Sequence, residues 1–193
     1  DGRFQLYMMT AAIERWLELW DEDQDAKFRR KFEDYQGQFP QSAFAPILAA
    51  MQMNATAWRA RGRGFCSSVT PEGWALFRER STRSWQMLQA SKARAARLPT
   101  WYELAIQYGA DTNVPEAELT ALFEEGIARF PGYYSIYFSI ARQYSPRWGG
   151  DYASADAFIR KVVAAKTNPD GEVLYARLYW LIDQYSGGDS EFF

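Results

Sequence analysis

Apolar side chains in this sequence recur every three to four residues, the spacing that puts them on one stripe of an α-helix. Leu6, Met9, Ile13, Trp16, Leu17 and Trp20 form the first such stripe. The acidic run Asp21–Asp25 predicts the turn into a second helix, whose stripe of Phe28, Phe32 and Tyr35 is stopped by Gly37 and Pro40. A third helix is expected after Ser42, carrying Phe44, Ile47, Leu48, Met51 and Trp58 as far as Gly62 and Gly64. The fourth has the clearest start. Thr70 suits the N-cap, Pro71 the first helical position, and Glu72 the positive end of the helix dipole. From Trp74 to Ala95 the same spacing supports about seven turns. Strand signals are nearly absent, and Ala, Arg, Glu, Gln and Leu dominate.

Beyond Pro99 the pattern repeats. Trp101, Leu104, Ala105 and Tyr108 share relative positions with Tyr137, Ile140, Ala141 and Tyr144, and again with Tyr175, Leu178, Tyr179 and Ile182. Between them, Gly126 and Pro131 match Ala164 and Pro169, with Phe123 and Ala157 earlier in the two helices, read as a small-residue contact followed by a terminating proline. The period is close to the roughly 34 residues of tetratricopeptide repeats, whose units bury a continuous core only by stacking. The chain therefore reads as one all-α domain of about nine helices, in antiparallel pairs stacked as a short tetratricopeptide-like superhelix. Residues 1–97 supply the N-terminal helices, including a long basic one; residues 98–186 supply degenerate repeats; residues 187–193 are a tail.

Two segments carry a more specific likeness. Ala60-Arg61-Gly62-Arg63-Gly64-Phe65 leads to Val69-Thr70-Pro71-Glu72-Gly73-Trp74, and Phe130-Pro131-Gly132-Tyr133-Tyr134 leads to Pro146-Arg147-Trp148-Gly149-Gly150. Together they resemble a bacterial, tetratricopeptide-like domain-of-unknown-function family marked by a Pro-Arg/Lys-Trp-Gly-Gly turn. The resemblance covers roughly residues 41–183. It implies a fold and a bacterial source, and it supplies no activity and no catalytic residue.

Composition narrows the chemistry. The 193 residues include no histidine and one cysteine, which removes the usual catalytic triads, an intramolecular disulfide and any zinc site of cysteine and histidine. No phosphate-binding glycine loop or nucleophile-elbow motif is present. No apolar run approaches the ~18–20 residues that cross a bilayer. The sequence opens on Asp1, as a trimmed or processed chain would, so a removed signal peptide stays open, and a single cysteine fits bacterial cytoplasm and periplasm equally.

The formal net charge is −2, but it is unevenly spread. Residues 59–97 hold nine basic side chains against two acidic ones, while both flanking segments are acidic. At 100° per residue, Arg80, Arg83, Arg94 and Arg97 fall within ~100° of arc on the fourth helix. Such a face suits an anion or an acidic partner; it also suits a solvated helix surface paired to acidic repeats. Nucleic acid is disfavoured for a chain without net positive charge. Arg61 and Arg63 resemble an arginine-glycine tract, although a helix C-cap explains one copy equally well. Trp148 either plugs a gap between repeats or offers its ring beside the Arg147 fork.

The expected role is a non-enzymatic protein- or peptide-binding scaffold with no cofactor and no metal. Arg61, Arg63, Arg80, Arg83, Arg147 and Trp148 are its candidate partner-binding residues. Two alternatives stand beside it: a small-molecule or anion-binding domain using residues 59–97, and an immunity-type inhibitor that neutralises a toxin.

Overall fold

The protein is described by a computed structural model over residues 2–62, 64–165 and 170–186. It is all-α, with nine α-helices and no strand among the described residues. In chain order these are α1 (Gly2–Leu19), α2 (Glu22–Gln38), α3 (Phe44–Arg61), α4 (Pro71–Ala95), α5 (Pro99–Asp111), α6 (Glu116–Arg129), α7 (Tyr134–Ala141), α8 (Tyr152–Val163) and α9 (Glu172–Ser186). Short 3-10 turns follow α3 and α7.

Helix ends follow local chemistry. The acidic run is not itself the turn before α2. Asp21 caps the helix, accepting a hydrogen bond from the Gln24 backbone while the Gln24 side chain accepts from the Asp21 backbone, so the remaining acidic residues already lie in the first turn. Ser42 Oγ accepts from the backbone N–H groups of Phe44 and Ala45 at the start of α3. Gly62 closes α3 at φ 77°, and Thr70 caps α4 by accepting from Gly73 N at 3.0 Å.

The chain divides into two compact units, Asp1–Trp101 with Asp111–Asn113, and Tyr102–Ala110 with Val114–Phe193. The first is organised by the antiparallel pair α3–α4. Small residues bring these helices together: Ala50 and Ala57 on α3, and Gly73, Ser81, Ser84 and Ser91 on α4, are all buried. Ser84 Oγ donates to Ala50 O at 2.8 Å, and a Cβ at Gly73 would lie 2.9 Å from Ala60 O. Ser81 Oγ, fully buried, finds no hydrogen-bond partner among the described residues, so the position selects for size. Trp101 Nε1 donates to Leu88 O, which pins the start of α5 to α4.

Helices α1 and α2 lie against α3. Arg59 on α3 donates to Leu17 O and Trp20 O at 3.1 and 2.7 Å and ion-pairs with Asp25. One guanidinium thus satisfies carbonyls at the C-terminal end of α1 and holds the first turn of α2. The apolar stripe expected on α1 is only partly buried: Leu17 is 1% exposed, but Met9 and Trp16 are 44% and 66% exposed.

In the second unit, the repeated positions form the core. Leu104, Ala105, Tyr108, Tyr137, Ile140, Ala141, Leu178 and Ile182 are buried. Gly126 on α6 meets the Tyr102 ring, where a Cβ would stand 3.1 Å away. The corresponding expectation for α8 does not hold. Ala157 and Ala164 are exposed, Ala164 lies past the helix end, and Ala155 is the small buried residue, while Pro169 is outside the described residues. Phe158 closes this side, facing Phe123 and stacking on Tyr144.

An alanine in place of glycine ordinarily stabilises an exposed helix by ~0.5–1 kcal/mol. Gly73→Ala is expected to do the reverse, costing about 1–2 kcal/mol in urea denaturation because its Cβ presses on Ala60 O. Ser81→Ala, which deletes an orphaned buried hydroxyl, should be neutral or stabilising by up to about 1 kcal/mol in the same measurement.

Candidate functional site

The arginines of residues 59–97 are mostly committed to the fold. Arg61 lies between two indoles, its guanidinium carbon 5.3 and 5.2 Å from the Trp58 and Trp74 ring centroids. It also donates to Gly62 O, Gly64 O and Cys66 Sγ, which fastens the connection after α3. Arg80 donates to Thr56 O at 3.0 Å across the α3–α4 seam. Arg94 and Arg97 reach Pro40 O and Gln41 O in the connection between α2 and α3. Apart from the indoles and Cys66 Sγ at Arg61, these partners are backbone carbonyls, which cannot be read from sequence charge. Arg83 differs: it is exposed and makes no hydrogen bond or ion pair among the described residues. Arg63 lies outside the described residues.

The Pro146-Arg147-Trp148-Gly149-Gly150 segment forms a 3-10 turn, Pro146–Trp148, followed by Gly149 in the left-handed region at φ 92°. A Cβ at Gly150 would collide with the backbone of Tyr144. Both glycines are therefore required by backbone geometry. Trp148 is half-buried beneath Arg142, whose guanidinium carbon is 3.7 Å from the ring centroid. The cation on this indole comes from Arg142; the side chain of Arg147 is outside the described residues.

Buried and half-buried tyrosines of the second unit donate to carboxylates. Tyr133 reaches Glu103 at 2.9 Å, Tyr144 reaches Glu116 at 3.1 Å, and Tyr179 is bonded to Asp156. Tyr102 donates to Glu125 at 2.6 Å and accepts from Arg129 at 2.7 Å. Burial, reinforced by the Glu125 hydrogen bond, pushes the Tyr102 phenol up to about 12. Burial also raises Tyr137 and Tyr144, the latter with help from Glu116. Asp156 is held below the usual carboxylate range by Arg160 and then by Tyr179. A phenol shifted upward keeps its proton at neutral pH, so Tyr102, Tyr144 and Tyr179 stay hydrogen-bond donors to their carboxylates there, while the Tyr137 hydroxyl has no partner among the described residues.

No cluster of metal-ligating side chains and no helix long and apolar enough to cross a membrane occurs among the described residues. The exposed features lie elsewhere. On α9, Val173, Ala176, Arg177, Trp180 and Gln184 share one solvent face opposite the buried Leu174, Leu178 and Ile182. Arg177 rests on the Tyr134 ring of α7, 4.4 Å from its centroid. The sequence held a signal for this face. Trp180 falls on the far side of α9 from the repeated Leu178/Ile182 stripe, where a packed tryptophan has no place.

Two measurements check these assignments. Arg80→Ala is expected to cost about 1 kcal/mol in chemical denaturation, and Arg83→Ala to stay within about 0.5 kcal/mol of the parent. Tyr102 has a folded-state pKa above the ordinary tyrosine value near 10, so its stabilisation is complete below pH 10 and is lost as pH rises through about 12. Denaturation midpoints should therefore fall across that window, and Tyr102→Phe should flatten the fall. No family model, curated protein or solved structure matches this chain.

Proposed function

We propose that this chain is a non-enzymatic helical scaffold whose second unit binds a protein or peptide segment, with α5–α9 acting as degenerate tetratricopeptide-like repeats of the bacterial family its Pro-Arg-Trp-Gly-Gly turn resembles. The observation that supports it is the solvent face of α9. Val173 and Trp180 are 53% and 62% exposed there, beside an arginine that is stacked on Tyr134 and has donors to spare. Tryptophan and arginine concentrate binding energy at interfaces, and a stacked guanidinium is already ordered before a partner arrives. The five residues of that face include no carboxylate, and Glu172 and Asp183 lie beyond its Ala176 edge, away from Arg177. Its complement is a segment offering a carboxylate next to an apolar side chain.

Affinity capture from a lysate of the source cells tests this, using the 193-residue chain and two variants, Trp180→Ala and Arg177→Glu. Both changes are at exposed positions, so far-UV circular dichroism should be unaltered. Wild type is expected to retain a protein that each variant loses by at least about tenfold. Equal retention by all three chains, or none by any, removes α9 as a binding face.

A further inference from the structure

Five of the nine large hydrophobic side chains exposed among the described residues belong to α1: Tyr7, Met8, Met9, Trp16 and Leu19. Four of them do not scatter. At 100° per residue, Met8, Met9, Trp16 and Leu19 fall with Ala12 inside ~100° of arc, opposite the buried Thr10 and Leu17 that face inward. The helix is therefore apolar on two sides, and only one is used by the fold.

We infer that two copies of this chain associate through the outer face of α1, crossing antiparallel at Ala12. The exposed parts of Met8, Met9, Ala12, Trp16 and Leu19 come to about 500 Å², the upper end for a lone monomer patch. A symmetric pair covers on the order of 1,000 Å², the threshold for a specific but weak interface. The sequence of the stripe is self-complementary. Ala12 is the small residue at its centre, with Met8 and Trp16 each four residues away. A two-fold crossing at Ala12 lets the backbones approach and sets each Met8 against the partner's Trp16, in the favourable sulfur–aromatic pairing. Leu19 then covers Gln5 of the partner subunit at either end. The stripe itself carries no charge. Arg15, at its edge, and the partner's Arg15 lie on opposite sides of the crossing, about 9 Å apart along the helix axes. A membrane surface is the poorer occupant, because interfacial helices are rich in Lys and Arg on the polar face, and α1 balances Arg3 and Arg15 with Glu14 and Glu18.

Sedimentation velocity on the 193-residue chain from about 1 to 200 μM is expected to show a monomer–dimer equilibrium with a micromolar midpoint. Trp16→Glu and Leu19→Glu, both at exposed positions, should each leave a monomer across that range with an unchanged circular dichroism spectrum. A third variant reads the geometry. Ala12→Cys in a Cys66→Ser background should oxidise to a covalent dimer, whereas Gln36→Cys in the same background should not. Monomer throughout for the parent chain, dimer surviving both glutamate substitutions, or partition of the parent onto anionic phosphatidylglycerol vesicles in place of dimerisation would overturn the inference. None of these outcomes bears on capture through Trp180, which belongs to the other unit.

Discussion

The first unit depends on how closely α3 and α4 approach. Two helices packed through leucine or phenylalanine stand ~10 Å apart; here alanine, serine and glycine line the seam, and backbone atoms come within reach of the opposite helix. That closeness explains features that look unrelated. Gly73 has no room for a methyl group, Ser84 can hydrogen-bond straight to a carbonyl of α3, and Arg80 spans the seam to another. With the seam filled by small side chains, the large ones are displaced to its margins. Trp58 and Trp74 there meet Phe77 edge-on and enclose Arg61.

Arginine has a particular job in this unit. Helix termini leave carbonyls without partners, and long planar donors satisfy them from a neighbouring element. Arg59 does this at the end of α1, while Arg80 donates to a carbonyl in the interior of α3 and Arg94 and Arg97 donate to the connection between α2 and α3. A count of charges treats such residues as a surface waiting for an anion. Their geometry makes them ties between chain segments, with five bonds to carbonyls and, from Arg59, one ion pair to Asp25.

Helix identity and most boundaries were legible in the sequence because capping chemistry is local. Thr70, Pro71, Gly62 and Ser42 act within three residues of their own position. The core positions of the repeats were legible too, since a three/four spacing of aromatic and aliphatic residues over several turns has one efficient packing. What failed was the choice of face where a helix is apolar on more than one side. On α1 the spacing alone groups Met9 and Trp16 with Leu17, yet the fold turns Thr10 and Leu17 inward. The contacts of Arg61 and Arg80 were not legible for another reason: both donate to main-chain oxygens, which every sequence has in equal supply. Trp148 fared better. Its packing in a glycine-bounded turn follows from the cost of leaving an indole in water, although the cation above it, Arg142, came from the preceding turn.

Burial of the tyrosines has a consequence for thermodynamics. With no imidazole in the chain, and with Tyr102, Tyr137, Tyr144 and Tyr179 raised further above neutrality, few side chains gain or lose hydrogen ions between about pH 5 and 8. Pairing of two copies through the uncharged outer face of α1 adds no such group, so the heat it releases is expected to be the same in Tris as in phosphate.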